Sequence, residues 1–173
     1  MSGGKDMSAF LGHIHYWLYN KIRLVVKREE LIYKKAESKF GSEVDEFHEL
    51  VLQTYGAPLP DTDLMDLIDH ANIHGWLQRQ INTAETREAA FIKELLNHYG
   101  ADAQTVVAEA FREHGCQCGI DAKNKGRYND TSAEGIYQAL NDYLLNGMPC
   151  DQNDRVVEKT PGRLVWEGEV CLQ

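Results

Sequence analysis

Long apolar runs are missing from this chain. No stretch approaches the roughly 20 consecutive apolar residues that a membrane-spanning helix needs. The opening "MSGGKDM" has no apolar core of the kind a secretory leader carries. Both absences predict a cytoplasmic protein with no membrane partner. A surplus of positive charge is missing too: 18 Lys and Arg stand against 27 Asp and Glu, a formal net charge of −9. That balance argues against non-specific nucleic-acid binding, which needs a basic surface to displace counterions, and against an anionic bilayer surface. Cysteine is scarce, with four in 173 residues, too few for a disulfide scaffold in a chain this long. Cys116 and Cys118 form Cys-x-Cys while Cys150 and Cys171 stand alone, so neither the paired knuckles of a zinc ribbon nor an iron–sulfur run is present. Proline is equally sparse at four residues, and all four fall between apolar-periodic segments, where they punctuate the chain.

What is present is helical periodicity. Leu11, Ile14, Leu18, Ile22, Val25, Ile32 and Ala36 recur at three- and four-residue steps, which predicts a first helix from Ser8 to Phe40, stopped by Gly41. A second is expected from Ser42 to about Tyr55, with Val44, Phe47, Val51 and Tyr55 inward, ended by "YGAPLPD". Asp61 or Thr62 would cap a third reaching Ile81. Asn82 and Glu85 have capping-box spacing, so a fourth helix, or a kinked continuation, would run to Gly100, and a fifth from Asp102 to His114. "CQCGIDAKNKGRYND" reads as a loop, "TSAE" opens a sixth helix closed by Gly147, and "RVVEK-TPG-RLVWEGEVCLQ" alternates like two short strands. The expectation is a single domain over residues 1–173. It is mainly α, a helical bundle of about six helices over 8–147 with a small C-terminal β-hairpin over 155–171.

Several polar residues fall on apolar faces. His70 and His74, four apart, would lie about 40° from one another on one helix face and could share a metal. The zinc-protease pattern is excluded, because Ala71 stands where its general-base glutamate belongs. His48 lies between Val44 and Val51, Glu29 between Val25 and Ile32, and Glu88 between Ala84 and Phe91. Buried carboxylates are costly unless paired or coordinated, and bundle cores hold metals through such residues on facing helices. His48, His70, His74 and Glu29 are therefore the candidate ligands of a divalent ion (zinc, iron or nickel), with Glu88 as candidate proton acceptor. The other reading is that each histidine is a core residue and each glutamate pairs with a neighbouring Lys or Arg. Lys123, Lys125 and Arg127 make one basic stretch, which either draws a small anion or is solvated.

From about Ala84 to Cys171 the order is helix, "HYGADAQTVVAEAFREHGCQCG", loop, helix, then alternating strands ending in "VWEGEVCLQ". Over this half the chain resembles the L-2-amino-thiazoline-4-carboxylic acid hydrolase-like proteins, in which helices precede a β element whose last strand runs into a cysteine. By that resemblance Cys171 is the matching residue, and Gly115 and Gly119 are the glycines near the end of the preceding helix. Leu172 stands where those proteins usually place proline. The resemblance implies a helical protein with a terminal sheet that hydrolyses a small ring amide or amidine.

Two functional expectations follow. One is a protein that binds a metal ion or small molecule in its interior, as a hydrolase using metal-bound water with Glu88 or using the Cys171 thiol. The other is a non-enzymatic, homo-oligomeric interaction module, with Tyr16, Trp17 and Tyr19, outside the first helix's main stripe, packing internally or against a second copy.

Overall fold

The computed structural model describes residues 7–60, 67–126, 132–144 and 155–167. The chain is mainly helical, with helices α1 (Met7–Phe40), α2 (Glu43–Tyr55), α3 (Ile73–Asn124) and α4 (Ala133–Asn141) followed by strands β1 (Arg155–Thr160) and β2 (Arg163–Glu167). No helix among the described residues is long and apolar enough to cross a membrane. By internal packing it divides into two compact units, Met1–Arg112 and Glu113–Gln173.

In the first unit, α1 follows its periodicity: Leu18, Ile22, Val25, Ile32 and Ala36 are all buried, while Ile14 is 57% exposed. Gly41 ends α1, and α2 starts two residues later with Glu43, Asp45 and Glu46 in its first turn, where the helix dipole favours negative charge. Val44 and Val51 of α2 join Ile32, Ala36, Phe91, Leu95, Ala103, Val106 and Ala110 in one apolar core.

Four helices stand among the described residues instead of about six: α3 takes in the expected third from Ile73 and the fourth without a break, and the expected fifth follows within it across a kink at Gly100. Asn82 does not cap a new helix; its side chain accepts from Gln78 Nε2 at 2.9 Å along the outside of an unbroken one. Gly115 keeps a helical backbone, and glycine ends a helix only where it turns left-handed. The helix therefore runs through Cys116 and Cys118 to Asn124, into the segment expected as loop.

Gly100 is different, with φ 54° and ψ −126° inside α3. Before it, His74, Arg87 and Tyr99 meet His15, Glu29 and Phe40 in that order, so this leg runs parallel to α1. After it, Asp102 meets Lys39 and Phe111 meets Arg28, so the order along α1 is reversed. Gly100 is thus the point where α3 doubles back, bringing Ala103, Val106 and Ala110 into the core already formed by Phe91 and Leu95.

In the second unit, α4 is capped by Ser132, whose Oγ accepts from Gly135 N at 3.1 Å. Glu134 is drawn to Lys159 Nζ at 2.6 Å and does not close the expected capping box. The helix ends at Asn141, short of Gly147. The strands pair antiparallel around Pro161 and Gly162, with Thr160 opposite Arg163 and an irregularity between Val156 and Glu158. Tyr137 of α4 packs on Trp166 of β2 at 5.0 Å. The expected extension of the second strand to residue 171 lies outside the described residues.

Gly100→Ala should cost about 1–3 kcal/mol, because the added Cβ meets open space and the strain is all in the backbone. Gly115→Ala, at an exposed helical position, should instead be neutral or stabilise by up to about 1 kcal/mol. Urea denaturation of the two variants checks the contrast, and equal effects would rule out Gly100 as the reversal point.

Candidate functional site

Below the apolar core, one helical turn down both α1 and the first leg of α3, lies a layer of charge. Arg28 and Glu29 on α1 face Arg87 and Glu88 on α3, and each acid takes the other helix's base. Arg87 Nε donates to both oxygens of Glu29, at 2.9 and 2.8 Å, and the two side chains are almost wholly buried. Arg28 Nε donates to Glu88 Oε1 at 2.6 Å, its Nη2 reaches Oε2, and its guanidinium lies 4.5 Å from the Phe111 ring centroid. The bidentate fork suits a carboxylate better than any lysine would.

His48 of α2 completes the layer. Its Nε2 stands 3.7 Å from Glu29 Oε1, while its ring stacks on Tyr33 at 4.4 Å and tilts against Phe91 at 4.9 Å. Burial pushes the Glu29 carboxyl up, but the His48 imidazole and the Arg87 guanidinium pull it down and prevail, leaving it below its ordinary value of 4.5. Arg87 carries the pairing, since 3.7 Å exceeds hydrogen-bond reach. Tyr33 donates to Asp45 Oδ1 at 2.7 Å, and chiefly for that reason its hydroxyl is pushed up to about 12. Glu85 is pushed up by burial and by the neighbouring charge of Glu88, against the pull of Arg28.

Arg87 also fixes a loop. Its Nη1 donates to the carbonyl of Gly56 at 3.2 Å. Gly56, at φ 87°, ends α2 and turns the chain into Ala57–Pro60. That loop forms one side of a cavity of about 320 Å³ between α1 and α3, large enough for a small organic molecule. Tyr19, Ile22 and Val26 of α1 with Pro58 and Leu59 make its walls apolar; Arg23, Lys27 and Arg87 bring positive charge, with Glu30 opposing. Arg87 Nη2 also lies 2.8 Å from Glu29 Oε2, so the guanidinium is committed to that carboxylate.

The expected metal set is only partly brought together. Glu29 and His48 meet. Glu88 is taken up by Arg28. His70 and His74 are both exposed, and they do not share a helix face. Asp69 Oδ1 accepts from Ala71 N and Asn72 N, and Asn72 Oδ1 accepts from Gly75 N at 2.8 Å, so α3 begins after His70. His74 sits edge-on to His15 at 6.4 Å, and His15 is about 21 Å of helix away from Glu29. Among the described residues no three His, Cys, Asp or Glu side chains gather as a metal would require. Cys171, Cys150 and Arg127 lie outside the described residues. Lys125 pairs with Asp121 at 2.7 Å. Trp17 lies under Lys21 Nζ at 3.7 Å and Tyr19 lines the cavity, so two of the three aromatics off the α1 stripe are used within the first unit.

Sequence reasoning passed over Arg28 and Arg87. Arg87 nevertheless lies three residues after Ala84 and four before Phe91, on the apolar stripe itself. Comparison with known families, curated proteins and solved structures gives no match for this chain.

Glu29→Gln should destabilise the protein by about 3–5 kcal/mol, because it leaves the Arg87 charge buried and unpaired. The sign with pH follows from the lowered carboxyl. Its contribution is complete above the ordinary value of 4.5 and is lost as pH falls through the lower folded value. Wild-type stability, measured by urea titration at successive pH values, should therefore fall more steeply below about pH 4.5 than that of Glu29→Gln. Parallel curves would remove Glu29 as the source.

Proposed function

We propose that the first unit binds a small molecule with an apolar body and an anionic group, a carboxylate or phosphate, in the cavity between α1, Ala57–Pro60 and the first leg of α3. The observation that carries this reading is the Arg87 guanidinium at the cavity wall. It is held in place by Glu29 and Gly56 and stands with Arg23 and Lys27 around a cavity whose walls are largely apolar. Arg23 and Lys27 add attraction over the same cavity, in a chain whose formal charge is −9. The carboxylate behind Arg87 orients the fork and leaves charge recognition to be shared with the two cations at the rim. Tyr19, Ile22, Val26 and Leu59 would cover the apolar body.

Isothermal titration with hexanoate, 4-phenylbutyrate and phenyl phosphate, each against its uncharged alcohol counterpart, tests this reading. At least one anion should bind while its neutral counterpart binds about tenfold more weakly or not at all. The combined Arg23→Ala and Lys27→Ala variant should lose that preference. Absence of binding by all three anions, or equal binding of charged and neutral partners, would overturn the proposal.

A further inference from the structure

The second unit holds a thiol and an imidazole in contact. His114 and Cys118 are four residues apart on α3, so their side chains lie one above the other on a single face. Cys118 Sγ stands 3.5 Å from His114 Nε2, within hydrogen-bond reach for sulfur. His114 is 8% exposed and Cys118 half-buried. Cys116 is exposed and sits about 200° round the helix from Cys118, facing away from His114. Among the described residues, one thiol of the Cys-x-Cys pair therefore has an imidazole beside it and the other faces away from that imidazole.

We propose that Cys118 is a nucleophilic thiol activated by His114, and that it is a site of modification by hydrogen peroxide. The imidazole takes the thiol proton and leaves a thiolate beside an imidazolium. The sulfur attacks one peroxide oxygen, an S–O bond forms and the O–O bond breaks. The sulfur is oxidised to sulfenic acid and the peroxide is reduced. The departing hydroxide takes the imidazolium proton and leaves as water, so His114 returns neutral.

Asp121, one turn further along α3, is held by Lys125 Nζ at 2.7 Å and accepts from the Tyr143 hydroxyl at 2.7 Å. Burial, then that hydrogen bond to Asp121, pushes Tyr143 well above its ordinary range, with Cys118 and Asp142 adding to the rise, so the phenol stays protonated beside the thiol. Glu113 precedes His114 on the same helix, about 100° round from it.

The full chain, treated with iodoacetamide over pH 5–9 and read peptide by peptide by mass spectrometry, tests the proposal with Cys116 as internal reference. Cys118 should be alkylated about 3- to 10-fold faster than Cys116 at pH 6, although it is the less exposed thiol, and its rate should hold up at pH values where an ordinary thiol near 8.5 loses reactivity. Dilute hydrogen peroxide followed by dimedone should tag Cys118 and leave Cys116 largely untagged. His114→Gln should bring Cys118 to or below the Cys116 rate with unchanged circular dichroism. Should that variant unfold, the wild-type pH profile decides alone. A Cys118 profile that follows Cys116 in midpoint and rate, or equal dimedone tagging of both, would overturn the proposal.

Discussion

The buried pairing of Glu29 with Arg87 is the constraint on which the first unit depends. It joins α1 to the first leg of α3, and through the Gly56 carbonyl it also fixes the end of α2, so one guanidinium holds three elements. Removing two charges from water is expensive, and the cost is met only where geometry and hydrogen bonding are good. Here both carboxylate oxygens are engaged and His48 closes the remaining side. The apolar residues above supply the bulk of the packing. The charge layer decides which helix faces which.

The cavity follows from the same arrangement. Because Arg87 holds Gly56, the loop that begins there crosses beside α1 at a defined place, and the space it borders has a positively charged wall within an acidic protein. The thiol–imidazole pair in the second unit has a simpler origin in helical spacing alone. These two sites belong to different units and draw on different chemistry, and neither needs a metal.

Helical periodicity made much of the fold legible. Leu18 to Ala36 of the α1 stripe, Val44 and Val51 of α2 and the strands around Pro161 and Gly162 stand where it puts them, whereas Ile14 and Tyr55, expected inward, are exposed. Glu29, His48 and Glu88 were visible as polar residues on apolar faces, and all three lie in or beside the charge layer. Their partners were less visible, since arginine on a helix ordinarily reads as solvated, even where Arg87 sits on the stripe. His70 and His74 misled because two cap signals competed: Asp61 or Thr62 would start the helix early, whereas Asn72 starts it after His70. The gain or loss of one cap decides whether two histidines share a face. Glycine misled at Gly115, which is helical, whereas Gly100, read as a helix end, does leave the helical conformation; only the backbone tells the two apart.

The crossed arrangement of Arg28, Glu29, Arg87 and Glu88 acts as a key to alignment. The two helices run parallel, and 58 residues separate Glu29 from Arg87 in the chain, so no short connection sets their relative height. A slide by one turn in one direction would set the Glu29 charge against Phe91 and the Arg87 charge against Val25, both buried apolar side chains. That misalignment therefore carries a penalty of several kcal/mol per stranded ion. The apolar stripes alone, repeating turn after turn, would tolerate such a slip far more readily.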